Sequence, residues 1–120
     1  MTKPLALVIE DDKGLADILS AALTVAGYEV AVVRHGTTAS QRLHDLTPHL
    51  ITLDLHLPGI GGQTLLKQIR EDERLANTYV MLVTADARLA QSLENDATLV
   101  LVKPVSYSQL NLLAQRLLPA

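Results

Sequence analysis

The chain has 120 residues, enough for one domain with a single core, and we expect that domain to span residues 1–120. Hydrophobic residues make up 48% of it and cysteine is absent, which excludes a disordered chain, a disulfide framework and a thiolate metal site. Because the basic residues are scattered at a net charge of −3 and no apolar run approaches the roughly 20 residues of a membrane span, we expect a cytoplasmic protein without direct nucleic-acid or membrane contacts.

Short apolar runs alternate with helical patterns from one end of the chain to the other. The first run, Leu5–Ile9, precedes apolar residues at three- and four-residue spacing, which predict a helix capped by Asp12 and stopped at Gly27. The later runs lack polar alternation, as is typical of strands covered on both faces. They predict strands at Glu29–Val33, Leu50–Leu53, Val80–Thr84 and Leu99–Val102.

The remaining helices follow from weaker patterns. An apolar stripe from Ala39 to Leu46 predicts a second helix that ends before Pro48. Ser106, with Gln109 three residues later, predicts the start of the last helix as a capping box. Two shorter patterns predict a third helix around Leu65–Ile69 and a fourth over Arg88–Glu94. Strict alternation of strands and helices favours a parallel sheet with right-handed crossovers and helices on both faces.

Polar residues follow four of the predicted strands, at the point where each strand ends. The first strand runs into Glu10 and Asp11, and the third runs into Asp54. The fourth ends in Thr84, and the fifth runs into Lys103. Because the carboxyl ends of parallel strands meet at the edge where open α/β sheets bind ligands, we expect these side chains to converge.

The clustered carboxylates at this edge predict a divalent cation. Two like charges about 4 Å apart cost on the order of 4 kcal/mol at an effective dielectric of about 20, and a cation removes that cost. A site with oxygen ligands only suits Mg²⁺. The plainer interpretation, a capped loop at Glu10–Asp12 and a hydrogen-bonded turn at Asp54, stays open on these residues alone.

Asp54 is the candidate nucleophile at this edge. It ends a buried strand, and a carboxylate can form a covalent acyl phosphate. Lys103 would then neutralise the charge of the transferring group, and Thr84 would donate a hydrogen bond to it. The pattern therefore indicates phosphoryl chemistry as well as a metal site.

Four segments in this order resemble the receiver domains of two-component response regulators, and the resemblance covers the whole chain. It implies an α/β, flavodoxin-like, doubly wound sheet of five parallel strands in the order 2-1-3-4-5, with five helices. The stretch from Thr84 to Lys103 is roughly three residues, or nearly one helical turn, short of the family pattern, so we expect a shortened fourth helix. The four segments are Leu7–Asp12, Leu53–Gly59, Leu82–Ala85 and Val102–Pro104.

The resemblance also implies a role for each residue at the acidic edge. Asp54 would accept a phosphoryl group from a sensor histidine kinase or a phosphotransfer protein, with Thr84 and Lys103 holding the phosphoryl oxygens. The protein would then switch its interactions with an output domain or a second copy of itself, without being an enzyme beyond its own phosphorylation and dephosphorylation. The implied Mg²⁺ site consists of Glu10, Asp11, Asp54 and the backbone carbonyl of His56, with Asp11 as a direct ligand and Glu10 acting mainly through water.

One position departs from the family pattern and leaves other functions open. Receivers carry a switch aromatic three residues before the Lys-Pro pair, and here that residue is Val100, which is short and stiff at χ1. A receiver-like interaction domain that works without phosphorylation is therefore one alternative. A phosphatase with an aspartyl nucleophile is another, although His56 stands where such an enzyme needs a second acid.

Overall fold

A single parallel sheet organises the protein, and its strand order is the one predicted. The computed structural model describes residues 2–119. The order is β2-β1-β3-β4-β5, as in flavodoxin-like folds. Only β4 differs from the sequence prediction, because it begins one residue earlier. The strands are β1 (Leu5–Ile9), β2 (Glu29–Val33), β3 (Leu50–Leu53), β4 (Tyr79–Thr84) and β5 (Leu99–Val102).

Five α-helices cover the two faces of the sheet, and the predicted caps of the first and last are confirmed. The side chain of Asp12 accepts a hydrogen bond from the Leu15 N–H at 3.1 Å, and Ser106 does the same for the Gln109 N–H at 3.0 Å. Gly27 ends the first helix with φ of 119°, a conformation that favours glycine. The helices are α1 (Lys13–Ala26), α2 (Gly36–Arg42), α3 (Gly62–Glu71), α4 (Ala87–Ser92) and α5 (Tyr107–Arg116).

Two helix predictions need correction. The second helix ends at Arg42 and not near Leu46, because the N–H groups of His44 and Asp45 bond carbonyls only three residues back, as in a turn. Leu43 is nevertheless fully buried, so the apolar stripe reflects burial that continues past the end of the helix. The fourth helix is short, as expected, but it stops at Ser92 and is followed by a 3-10 turn at Glu94–Asp96.

The core has two layers, one on each face of the sheet. Side chains alternate along β1, so that Leu7 and Ile9 face the layer formed with α2, α3 and α4, while Ala6 and Val8 face α1 and α5. Burying such side chains stabilises the fold by roughly 1.5–3 kcal/mol for each large one. Nowhere in residues 2–119 does a helix combine the length and the apolar character needed to cross a bilayer.

Candidate functional site

The strand ladder fixes the backbone of the acidic edge. Ile9 pairs with Leu53 across β1 and β3, and the Asp54 N–H donates to the Ile9 carbonyl at 3.1 Å. On the other side of β1, the Glu10 N–H donates to the Val33 carbonyl at 3.0 Å. The residues that follow the strands are therefore held by the sheet itself.

The three predicted carboxylates come together at this edge. Glu10, Asp11 and Asp54 each offer an oxygen, and these oxygens all lie within 4.8 Å of one another. Glu10 is fully buried and Asp54 is 3% exposed, whereas Asp11 is exposed. The cluster is thus a buried acidic pair with a third carboxylate at its solvent side.

Lys103 places its ammonium group between the two buried carboxylates. Its Nζ lies 3.2 Å from Asp54 Oδ2 and 3.4 Å from Glu10 Oε1. Burial alone would lower the pKa of Lys103, but the negative charges of Glu10 and Asp54 outweigh it and raise that pKa. Lys103 is therefore a firmly charged counter-ion at this site.

The surroundings of Glu10 suit a bound cation. Its Oε2 accepts a hydrogen bond from the Asp12 N–H at 3.2 Å, whereas its buried Oε1 accepts no hydrogen bond among residues 2–119 and has only the ion-pair contact of 3.4 Å with Lys103. Burial, and after it the neighbouring side chain of Asp54, raise the pKa of Glu10 to about 8. A buried carboxylate oxygen that accepts no hydrogen bond, inside an oxygen-only cluster, fits a hard divalent ion.

Thr84 and Asp86 form the far side of the edge. Thr84 is fully buried, and its hydroxyl oxygen accepts a hydrogen bond from the Asp86 N–H at 3.1 Å, so its own hydrogen is available to donate elsewhere. The side chain of Asp86 caps α4 by accepting from the Leu89 N–H. Its Oδ2 also lies 3.6 Å from His56 Nε2, which links the β3–α3 and β4–α4 loops above the site.

The loop after β3 keeps Asp54 in place. The His56 N–H donates to Asp54 Oδ1 at 3.0 Å, while Lys103 holds the other oxygen. A Cβ at Gly62 would overlap the carbonyl oxygen of Asp54, so only glycine lets α3 begin this close to β3. The neighbouring β2–α2 loop interlocks with the same loop, since a Cβ at Gly36 would overlap the carbonyl of Ile60.

Sequence reasoning missed one residue at this edge. Arg34 directly follows β2, and its guanidinium donates to the backbone carbonyl of Asp11 from Nη2 at 2.8 Å and from Nε at 3.3 Å. In the sequence analysis, Arg34 was only one of the scattered basic residues and was given no role at the site. Its place at the carboxyl end of a strand was the signal that would have found it.

Comparison with known proteins gives a consistent picture. The family model for the response regulator receiver domain matches residues 6–115. The DNA-binding dual master transcriptional regulator RpaA of Synechocystis is 34% identical over 110 residues, which cover 89% of this chain and 46% of that protein. The DNA-binding response regulator MtrA of Mycobacterium tuberculosis is 32% identical over 104 residues, covering 87% of this chain and 46% of its own length.

The chain therefore spans about half the length of the curated relatives it matches. Since both relatives are DNA-binding regulators, the comparisons do not support the prediction that the protein makes no nucleic-acid contact.

Solved structures show the same fold. The chemotaxis response regulator CheY4 of Vibrio cholerae superposes with a TM-score of 0.87 at 26% identity, covering 98% of this chain and 100% of that one. The receiver domain of the Francisella response regulator 1452 gives a TM-score of 0.82 at 26% identity, with 95% of each chain covered.

Proposed function

Because the chain belongs to the response regulator receiver family, we propose that it is a phosphoacceptor of a two-component signalling pathway. Asp54 accepts a phosphoryl group from a histidine of a sensor kinase or phosphotransfer protein. The phosphorylated protein then changes its interactions with an output domain or with a second copy of the chain. The observation that carries the proposal is the contact of 3.2 Å between Lys103 Nζ and Asp54 Oδ2 inside the acidic cluster.

The transfer is a displacement at phosphorus. A carboxylate oxygen of Asp54 forms a bond to phosphorus while the bond between phosphorus and the donor's imidazole nitrogen breaks. The electron pair of that bond stays on the nitrogen, which then takes up a proton from water. Turnover is limited to this phosphorylation and to the hydrolysis of the acyl phosphate, so the chain is not an enzyme acting on other substrates.

Lys103 and Thr84 stabilise the transferring group. The ammonium of Lys103 already faces Asp54 and offsets the charge that accumulates on the phosphoryl oxygens. The hydroxyl hydrogen of Thr84 is free to donate to one of those oxygens, because the hydroxyl acts as an acceptor toward Asp86. The His56 N–H meanwhile fixes the second oxygen of Asp54.

Mg²⁺ is the proposed cofactor of this reaction. Two observations support it: the Oε1 of Glu10 accepts no hydrogen bond among residues 2–119, and the cluster offers only oxygen ligands. When bound, the ion supplies positive charge against the three carboxylates and the phosphoryl group. The residues that would hold it are Glu10, Asp11, Asp54 and the backbone carbonyl of His56.

A small phosphodonor tests the proposal directly. We expect incubation with acetyl phosphate and Mg²⁺ to add one phosphoryl group, detected by intact-mass spectrometry, and we expect a chelator to prevent it. Asp54→Ala should remove the adduct, whereas Asp45→Ala, a matched change at an exposed position after α2, should retain it. An unmodified wild-type protein, or an adduct that persists in Asp54→Ala, would contradict the proposal.

A second candidate function rests on Val100. This residue pairs with Leu82 of β4 and is half-buried, but it lacks the size for the large side-chain rotation that couples receivers to their output. We therefore keep a phosphorylation-independent interaction domain as the alternative. Amide exchange over residues 87–116 distinguishes the two, since it should change on phosphorylation only if Asp54 controls this face.

The proposed partner follows from the relatives. RpaA and MtrA are DNA-binding regulators, and we propose that any DNA contact in this pathway is made by an output domain and not by the receiver. The scattered basic residues of this chain support that division.

A further inference from the structure

The β2–α2 loop, defined here as residues 34–37 and so including the first two residues of α2, touches both loops that flank the acidic edge. On one side, the guanidinium of Arg34 donates two hydrogen bonds to the backbone carbonyl of Asp11, at 2.8 and 3.3 Å. On the other side, Gly36 is interlocked with the β3–α3 loop, and its N–H donates to the Pro58 carbonyl at 2.9 Å. The β2–α2 loop is thus anchored at one end and reaches the acidic site at the other.

The sheet determines where Arg34 begins. The preceding residue, Val33, is paired with Ile9, and its carbonyl accepts the Glu10 N–H. The backbone of Arg34 therefore starts beside the β1–α1 loop. A guanidinium is always charged and presents its donors in a rigid fork, so two N–H groups converging on one carbonyl oxygen define a single position for that carbonyl.

Asp11 is the carboxylate that needs such support. Glu10 and Asp54 are buried and held by the sheet, whereas Asp11 is exposed and lies in a loop. Fixing the backbone of a residue costs conformational entropy, and a loop that is ordered beforehand avoids that cost at the moment of binding. The geometry points to Arg34 as a positioning residue that holds Asp11 ready for the divalent cation.

The positive charge of Arg34 acts in the opposite direction, because it repels a cation. Arg34 is exposed, and charges at exposed positions are screened by water and salt over roughly 8 Å at physiological ionic strength. Ordering of the loop does not weaken with salt. The net effect of Arg34 is therefore to strengthen cation binding. This inference rests on the metal site of the proposed function.

Two variants and a matched control test whether Arg34 positions Asp11 for the cation. Arg34→Gln removes the charged fork, Arg34→Lys keeps the charge with a single donor group, and Arg42→Gln removes an exposed arginine from α2. Mg²⁺ affinity is measured by calorimetry, and amide exchange at residues 11–13 is measured without Mg²⁺. We expect Arg34→Gln to raise the Kd for Mg²⁺ roughly three- to tenfold. This is less than the roughly 10- to 100-fold loss of affinity seen when a side chain that orients a metal ligand is removed, because Arg34 contacts the backbone of Asp11 and not its carboxylate.

The variants should separate positioning from charge. Exchange at residues 11–13 should be faster in Arg34→Gln, Arg34→Lys should lie between it and wild type, and Arg42→Gln should match wild type. Saturating Mg²⁺ should restore the wild-type phosphorylation rate in Arg34→Gln. A Kd that is unchanged or lower, or unchanged amide exchange, would overturn the inference. Wild-type protein that does not bind Mg²⁺ would overturn the metal site of the proposed function as well.

Discussion

The two ends of the sheet handle their buried polar groups in opposite ways. At the carboxyl end, the ionisable side chains of Glu10, Asp54 and Lys103 face one another, and Oε1 of Glu10 accepts no hydrogen bond within the described chain. At the amino end, the buried hydroxyls of Tyr28 and Thr78 each donate a hydrogen bond to a backbone carbonyl. Like charges in a low-dielectric setting are costly, so the carboxyl end is held together at the expense of stability.

The amino end is closed by aromatic and hydroxyl groups. The Tyr28 hydroxyl donates to the Ala114 carbonyl at 2.8 Å, and His49 Nε2 bonds the Leu117 carbonyl near the end of α5. The ring of His49 also lies 5.2 Å from that of Tyr79 in an edge-on arrangement. One sheet thus carries a stabilising end and a reactive end.

The largest expected effect comes from removing the counter-ion at the reactive end. Lys103→Met deletes the ammonium 3.2 Å from Asp54 Oδ2. We expect phosphorylation by a small phosphodonor to slow by at least roughly 100-fold, because no positive group then offsets the negative charge on the phosphoryl group during transfer. The initial rate of adduct formation measures this. Lys67→Met, on the exposed side of α3, serves as control, and equal rates in the two variants would contradict the comparison.

The next effect concerns the stabilising end at alkaline pH. Burial, with a smaller contribution from Tyr79, raises the pKa of Tyr28 from 10.0 to about 12. Tyr28 therefore holds its hydroxyl proton more tightly in the folded protein than in the unfolded chain, and between pH 10 and 12 this difference favours the folded state. This contribution to stability is therefore complete below pH 10 and lost as the pH rises through about 12, and it amounts to roughly 3 kcal/mol in total.

Urea unfolding across this pH range tests that expectation. Tyr28→Phe should lose this part of the pH dependence and about 1 kcal/mol at neutral pH, because the hydrogen bond to Ala114 is gone. Tyr107→Phe, at an exposed position of α5, should behave as wild type. If the alkaline pH dependence of stability were unchanged in Tyr28→Phe, it would have to come from a group other than Tyr28.

The smallest effect lies between the two ends. The hydroxyl of Thr52, in the middle of β3, is buried and has no hydrogen-bond partner within residues 2–119. Thr52→Val should raise the free energy of unfolding by roughly 1 kcal/mol, since it removes an unsatisfied group at similar volume. The phosphorylation rate should not change. Destabilisation, seen by chemical denaturation, would show that this hydroxyl has a role in the fold.

The sequence predicted the strands better than the helices, for a physical reason. Strands buried on both faces are short apolar runs with clear ends, and β1 and β3 were placed residue by residue. The second helix was extended too far because Leu43 is buried beyond its end. Periodicity reports which side chains face the core, but it does not report whether the backbone there is still helical.

At the site, the contacts that follow from the strand order were predicted from the sequence, and the contacts between loops were not. The convergence of Glu10, Asp54 and Lys103 follows from the rule that parallel strands share a carboxyl edge. The contacts of Arg34 with Asp11 and of His56 with Asp86 join different loops. Loop conformations depend on close approaches such as that of Gly36 to Ile60, which no residue pattern encodes.

The fastening of α5 at the amino end of the sheet has a mechanical consequence. Tyr28 and His49 both bind carbonyls in the last two turns of the helix or just beyond it, whereas its first turn follows directly on the segment that carries Lys103. Nearer its start, α5 is attached to α1 by the hydrogen bond of 3.0 Å from Asn111 Nδ2 to the Ala22 carbonyl. We therefore expect any rearrangement around Lys103 to move the start of α5 more than its end, with the greatest displacement at the exposed Tyr107.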